Sequence, residues 1–138
     1  MILDNSEHEL SRLRASTKPI VAWKVVKPNG HPLLFDTRCG YQCPSYGPGV
    51  SAARHMTKDY RYDEGKCCVR GLYVYRTKSQ AKHGRLHPEN IRIVKVNIDP
   101  KDLLAASEQM LVTRRIRISP EDWVSARLPG REKRRRYI

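Results

Sequence analysis

The chain has 138 residues and a net charge of +13, because 27 lysines and arginines stand against 14 acidic residues. This length predicts a single domain with a real core, and the 39% of hydrophobic residues, placed periodically, exclude a disordered chain. The charge favours nucleic acid, or otherwise an acidic protein surface, as the partner. No apolar run approaches the ~20 residues that a membrane span needs, and no signal peptide is visible, so we expect no membrane association and a cytoplasmic location.

The first predicted element is a short amphipathic helix over residues 5–15. Ser6 and Glu9 have the spacing of a capping box, and Leu10 and Leu13 form a small apolar stripe. We expect the helix to pack on the domain. The alternative is a docking handle for a partner.

A strong strand is predicted from Ile20 to Val26. The turn that follows places Asn29 or Gly30 at positive φ, and Pro32 to Phe35 can return as an edge strand. Residues 36–66 read as one long irregular loop, of a length that is often functional. A short helix is possible within it near Val50 to Met56.

Residues 67–118 are expected to form the central strands and helix of the fold. Leu72 to Tyr75 is predicted as a buried strand, followed by a helix with a Thr77–Gln80 capping box and Gly84 at its C-terminal end. From Ile91 to Ile98 the alternation changes phase, which indicates a bulge or a strand covered on both faces.

The next two predicted elements are helical segments that each begin at a capping residue. Asp99 caps a single helical turn that ends at Asp102, and Ser119 caps a helix anchored by Trp123. Between these two helical segments, apolar and polar residues alternate, which predicts one strand with an apolar and a polar face. One face would carry Met110, Val112, Ile116 and Ile118, and the other Thr113, Arg115 and Arg117.

Together these elements predict an α+β fold, with a small, mainly antiparallel sheet, short helices and one long loop. We divide the chain into an N-terminal helix or arm (residues 1–18), a single domain (19–128) and a basic C-terminal tail (129–138). The sequence favours no oligomeric state, and neither DNA nor RNA.

Four motifs occur in order within this domain, and a basic alternating strand follows the last of them. They are Val21-Ala-Trp-Lys-Val-Val26, Tyr60-Arg-Tyr-Asp-Glu-Gly65, Cys68-Val-Arg-Gly-Leu-Tyr-Val74 and Val94-Lys-Val-Asn-Ile-Asp-Pro-Lys-Asp-Leu103. The arrangement resembles the small domain of tailed-phage accessory proteins related to the rapid-lysis rIIB protein, over roughly residues 20–120. The resemblance implies a role in host takeover or anti-defence rather than a reaction. Tyr73 stands where those proteins often have His.

Arg114, Arg115 and Arg117 are the first candidate binding residues. Arg115 and Arg117 share a strand face about 6.6–6.8 Å apart, which is close to the spacing of successive phosphates. The alternative is an exposed face whose arginines pair with Asp99, Asp102 or Glu108.

Two further segments can contact nucleic acid. Tyr60, Arg61 and Tyr62 offer rings for base stacking beside a charge, although they can equally pack the loop onto the sheet. The tail follows a Pro-Gly break and is predicted to be a free basic arm. Its charges are Arg131, Lys133, Arg134, Arg135 and Arg136.

The four cysteines are expected to be thiols in a cytoplasm. Cys39, Cys43, Cys67 and Cys68 are weak zinc candidates, because an adjacent pair on a strand points to opposite faces. We predict no cofactor and no resident metal.

The leading hypothesis is therefore a non-enzymatic, phage-type accessory protein that binds nucleic acid or a host nucleic-acid-processing complex. One alternative is a degenerate ADP-ribosyltransferase-like enzyme, suggested faintly by Tyr73 and Tyr75 on the second strand. Such enzymes use a His or Arg on the first strand and a Glu late in the chain. Here Lys24 or His31 would have to replace the first-strand residue, and Glu108 or Glu121 would be the late Glu. Another alternative is a structural protein that docks on a larger assembly.

Overall fold

A computed structural model of the protein describes residues 6–33, 41–55, 69–83 and 91–126. The helices are α1 (Glu7–Arg14), α2 (Lys78–His83) and α3 (Pro120–Ser125). The strands are β1 (Ile20–Val26), β2 (Tyr41–Gln42), β3 (Gly49–Ala52), β4 (Arg54–His55), β5 (Leu72–Tyr75), β6 (Arg92–Ile98), β7 (Leu103–Ala106), β8 (Met110–Thr113) and β9 (Arg115–Ile118). A 3-10 turn, Pro100–Asp102, joins β6 to β7.

The described strands form an antiparallel seven-stranded sheet in the order β3-β9-β6-β1-β5-β8-β7, and a small β2–β4 pair lies apart from it. This confirms the predicted α+β class with a mainly antiparallel sheet. The longest pairing joins β1 to β6 without a break in register from Ile20–Ile98 to Val26–Arg92.

The sheet must curl, because β8 and β9 are separated along the chain by Arg114 alone. Three strands lie between them in the sheet order, which would place them about 19 Å apart if the sheet were flat. Two residues of chain reach about 7 Å. The two halves of the sheet therefore turn toward each other and meet at Arg114, with β1 at the middle.

This curl gives the sheet an inner and an outer face. The inner face carries the larger core, which includes Ala22, Val26, Leu72, Val74, Val94, Val96, Ile98, Leu111, Ile116 and Ile118. Helices α1 and α3 add Leu10, Leu13 and Trp123 to its border. The outer face carries a second core under α2, built from Val25, Leu33, Tyr75, Ala81, Ile91, Ile93, Met110 and Val112.

The predicted caps are present at the helix starts. The amide of Gln80 donates to Thr77 Oγ1 and the amide of Thr77 to Gln80 Oε1, both at 3.1 Å. Ser6 Oγ accepts from the Glu9 amide at 3.2 Å, and Ser119 Oγ from the Asp122 amide at 3.0 Å. Such caps depend on neighbours in the sequence, which is why the pattern predicts them.

Gly30 provides the positive φ of the turn after β1, at 91°. A Cβ atom there would lie 2.2 Å from the carbonyl oxygen of Tyr46. The Gly30 carbonyl in turn accepts from the Tyr46 amide at 2.7 Å, so this glycine lets two backbone segments meet.

Three local predictions are wrong. The segment predicted as one irregular loop, residues 36–66, contains strands β2, β3 and β4 in its described part. The possible short helix near Val50 to Met56 is not formed by the described residues 50–55, which contribute to strands β3 and β4 because pairing with β9 and β2 satisfies their backbone.

The single strand predicted between the two helical turns is two strands, β8 and β9, and the chain changes phase at Arg114. Met110 and Val112 therefore do not share a face with Ile116 and Ile118, nor does Thr113 with Arg115 and Arg117. In β6, the register with β1 has no bulge, and both faces are covered where Ile93 joins the outer core and Val94 the inner core, whereas the outer face at Lys95 and Asn97 is only half-buried.

Several predicted features lie outside the described residues. They are residues 34–35 of the possible edge strand, Gly84, most of the long loop and the whole tail. Pro32 and Leu33, which are described, do not form a strand. Among the described helices, none is long and apolar enough to cross a membrane.

Helix α1 packs against the domain, as expected, and lies at the β7 edge of the sheet. The amide of Ser6 donates to the Ala106 carbonyl at 2.7 Å. Glu9 accepts from Arg12 at 2.5 Å and from Arg76 at 2.8 Å, and Arg76 also donates to the Ser107 carbonyl at 3.0 Å. These bonds from both arginines lower the pKa of Glu9 from 4.5 to about 2.

Leu72 is fully buried at the centre of the inner core. We expect Leu72→Ala to lower the free energy of unfolding by about 2–5 kcal/mol, because it leaves a cavity in a packed core. Val124→Ala is the control, since Val124 is 82% exposed on α3, and we expect it to change stability by less than about 0.5 kcal/mol. Equal values for both variants in urea unfolding would contradict the assigned core.

The Glu9 ion pairs predict a pH-dependent stability. A carboxylate whose pKa is depressed in the folded state stabilises the fold above its unfolded pKa, and this contribution disappears as pH falls through the folded value. The stability difference between the native chain and Glu9→Gln should therefore shrink as pH falls from 4.5 toward about 2. Glu7→Gln, in the same helical turn, is the control for the loss of one negative charge, because Glu7 makes no ion pair within the described residues; denaturant titrations measure both variants.

Candidate functional site

One row of side chains crosses four strands on the outer face of the sheet. The pairing register sets Val50 of β3 opposite Arg117 of β9, Arg117 opposite Asn97 of β6, and Asn97 opposite Val21 of β1. Directly paired residues of an antiparallel sheet point to the same side. We call this set, Val50–Arg117–Asn97–Val21, the outer row.

The outer row faces solvent. Val21 is 46% exposed and Val50 57% exposed, Arg117 is exposed and Asn97 is half-buried. Two of the three large hydrophobic side chains that are clearly exposed in the described residues therefore lie in this row. Toward the other ends of β1 and β6, the same face is covered by the outer core under α2.

A second set of side chains extends the row along β1. Trp23, which is half-buried, pairs with Lys95 of β6, also half-buried. The ammonium group of Lys78, on α2, lies 5.5 Å from the centre of the Trp23 ring. An aromatic ring thus lies beside two lysines, within about 7 Å of Val21 along the strand.

Arg115 lies on the same side of β9 as Arg117 but is held by an acid. Its guanidinium donates to Asp102 Oδ1 at 3.0 Å, and this bond, with the charges of Asp102 and Asp99, raises the pKa of Arg115. Arg115 is 58% exposed at its side chain, whereas that of Asp102 is 12% exposed. Part of the alternative predicted for these arginines, pairing with Asp102, is therefore present for Arg115.

Arg117 differs from Arg115 in this respect. It makes no ion pair and no side-chain hydrogen bond with the parts of the chain that are described. As far as the described part of the chain is concerned, all five of its guanidinium donors are available to a ligand.

A groove with a volume of about 680 Å³ opens beside the outer row. It runs between the segment before β1, the 3-10 turn after β6, and β9. Its lining includes Thr17, Val50, Asn97, Asp99, Asp102 and Arg117. The groove joins apolar, hydrogen-bonding, cationic and anionic groups at one solvent-facing place, with the carboxylates of Asp99 and Asp102 on its 3-10-turn side.

The remaining predicted binding residues lie elsewhere. Arg114 is exposed at the bend between β8 and β9, and its backbone amide donates to the Asp102 carbonyl at 3.0 Å. The loop residues and the tail are outside the described ranges. They are Tyr60, Arg61, Tyr62, Arg131, Lys133, Arg134, Arg135 and Arg136.

Of the cysteines, only Cys43 is within the described residues. It is buried in the inner core, and its thiol donates to the Ser45 carbonyl at 3.3 Å. The described residues contain no cluster of three or more His, Cys, Asp or Glu side chains that could hold a metal ion. Cys39, Cys67 and Cys68 lie outside the described ranges.

The residues of the enzyme alternative occupy different environments. Lys24 is 2% exposed on the inner face, where its ammonium group donates to the Tyr73 carbonyl at 2.9 Å and lies 5.4 Å from the centre of the Tyr46 ring. His31 is exposed beside Asn29 in the turn after β1. Glu108, in the β7–β8 turn, and Glu121, on α3, are both exposed.

Sequence reasoning found Arg115 and Arg117 but missed their neighbours. Val21, Asn97 and Val50 come together only through the strand order and register, which no local pattern specifies. No local signal singles out Val21, because it stands among the apolar residues of a predicted strand and only the register places it beside Asn97.

Comparisons with protein-family models, with curated proteins and with solved structures found no match to this chain. The resemblance to rIIB-like phage proteins therefore stays a prediction.

Proposed function

We propose that this chain is a non-enzymatic protein that binds nucleic acid through the outer row and the basic side chains around it. The observation that carries this proposal is Arg117. Arg117 is exposed at the middle of a solvent-facing sheet surface and makes no ion pair or side-chain hydrogen bond within the described residues, on a chain with a net charge of +13.

The chemistry of the surrounding side chains supports a phosphate ligand. A guanidinium group offers paired donors that match the oxygens of a phosphate, and Lys95 and Lys78 add positive charge nearby. Lysines and arginines that neutralise phosphates release condensed counterions, which is the main source of affinity for a polyanion.

Arg115 contributes less in this account. Its bond to Asp102 cancels most of its charge at short range, so a phosphate would have to compete with a partly buried carboxylate. Arg117 is therefore the principal phosphate contact on the sheet. The predicted tail and the Tyr60–Tyr62 segment would add contacts from outside it.

The biological role rests on the resemblance alone. As an rIIB-like phage accessory protein, the chain would act in the host cytoplasm, in host takeover or anti-defence, on nucleic acid or on a complex that contains it. An acidic host protein is the competing partner, and binding that survives nuclease treatment of a host lysate would favour it.

Arg117→Gln tests the proposal on the sheet itself. We expect weaker binding to nucleic acid and a slope of log affinity against log salt that is smaller by roughly 0.7–0.9, the contribution of one phosphate contact. The control is Arg14→Gln, which removes the same charge from an exposed position on α1 and should leave the slope unchanged. Fluorescence anisotropy between about 50 and 200 mM salt measures both.

Three results would count against the proposal. The native chain could fail to bind nucleic acid at low salt, or Arg117→Gln could retain the native slope. If Arg14→Gln and Arg117→Gln lowered the slope equally, binding would follow net charge alone and the sheet face would have no special role.

A further inference from the structure

We infer that the outer row binds unpaired nucleic acid in preference to a duplex. The inference rests on the proposed function and goes beyond it, because it names the form of the ligand. It comes from the two valines that flank the polar residues of the row, Val21 and Val50, which are 46% and 57% exposed.

Binding of phosphates through positive charge alone would give no role to the two exposed valines. A duplex stacks its bases inside and presents charged phosphates at its surface, so apolar side chains on an open sheet face could contact only the thymine methyl groups that lie in the major groove. An unpaired strand exposes the faces of its bases, and aliphatic or aromatic side chains can cover them. An apolar–cationic–polar–apolar row suits the second ligand.

The spacing of the row supports the same conclusion. Neighbouring strands are about 4.8 Å apart, which places Val50 one strand from Arg117 and Val21 about 10 Å away on the other side. A phosphate held by Arg117 would thus have an apolar side chain on each flank within reach of an adjoining base. Asn97, between Arg117 and Val21, offers both a donor and an acceptor to a base edge.

Trp23 lies two residues beyond Val21 on the same face of β1, so it extends the proposed binding surface along this strand. Its ring is half-buried and lies under the ammonium group of Lys78 at 5.5 Å. Lys78 is exposed on the first turn of α2, so it can turn toward a phosphate while a base approaches the indole. A single strand can supply the base and the phosphate together.

The first test compares three ligands with the native chain. They are a short single strand, a duplex of the same sequence and inorganic polyphosphate, which carries charge without bases. We expect the single strand to bind at least about 5-fold more tightly than the duplex at equal phosphate concentration, because only it places bases on apolar side chains. Equal or tighter binding of the duplex overturns the inference.

The second test uses the double variant Val21→Thr, Val50→Thr, which keeps the charge and the β-branched shape of both positions. Its affinity for the single strand should fall by about 3- to 10-fold through lost apolar contact, with an unchanged salt slope and unchanged polyphosphate binding. Val124→Thr, on α3, is the matched control and should bind all three ligands like the native chain.

The outcomes separate this inference from the proposed function. A double variant that binds the single strand as well as the native chain, or loses polyphosphate to the same extent, overturns the inference and leaves the phosphate contact of Arg117 standing. A native chain that binds none of the three ligands overturns both. The comparison of ligands uses the native chain alone, so it decides the matter even if the double variant is unstable.

Discussion

The structure depends on Asp102, whose carbonyl and carboxylate bind the residues at the junction between β8 and β9. Its carbonyl accepts from the Arg114 amide at 3.0 Å and from Thr113 Oγ1 at 3.2 Å, and its carboxylate accepts from Arg115 at 3.0 Å. These bonds fix the point at which the two halves of the curled sheet meet. They also fix the change of phase that turns Ile116 inward and the neighbouring arginines outward.

The charge pattern of the outer face follows from the same residue. Asp102 neutralises Arg115 at short range, so of the two outward-facing arginines of β9 only Arg117 has no side-chain partner in the described residues. The polar character of the face is therefore concentrated in the middle of the row, with a valine at each end. A surface of this kind combines selectivity for exposed bases with attraction for phosphate.

Sequence reasoning succeeded where the causes are local. The caps at Thr77 and Ser119 and the turn at Gly30 depend on residues a few positions apart. It failed for β3, whose Gly- and Pro-rich surroundings hide a strand that exists because β9 pairs with it. It also failed to foresee the change of phase at Arg114, since the alternation on both sides is regular and the contacts of Asp102 are not visible in it. For the same reason, only part of the site was predicted. Arg115 and Arg117 lie on one strand, whereas Val21 is brought near them by the strand order of the sheet.

The most direct test of the account is to map the contact on the folded protein. Backbone amide signals can be followed by nuclear magnetic resonance while a short single strand is titrated into the isotope-labelled chain. The account predicts that the largest shifts cluster at Val21, Asn97, Arg117 and Val50, with little change in α1 or β7 at the opposite edge of the sheet. Shifts confined to the tail, or centred on α1 and β7, would contradict it.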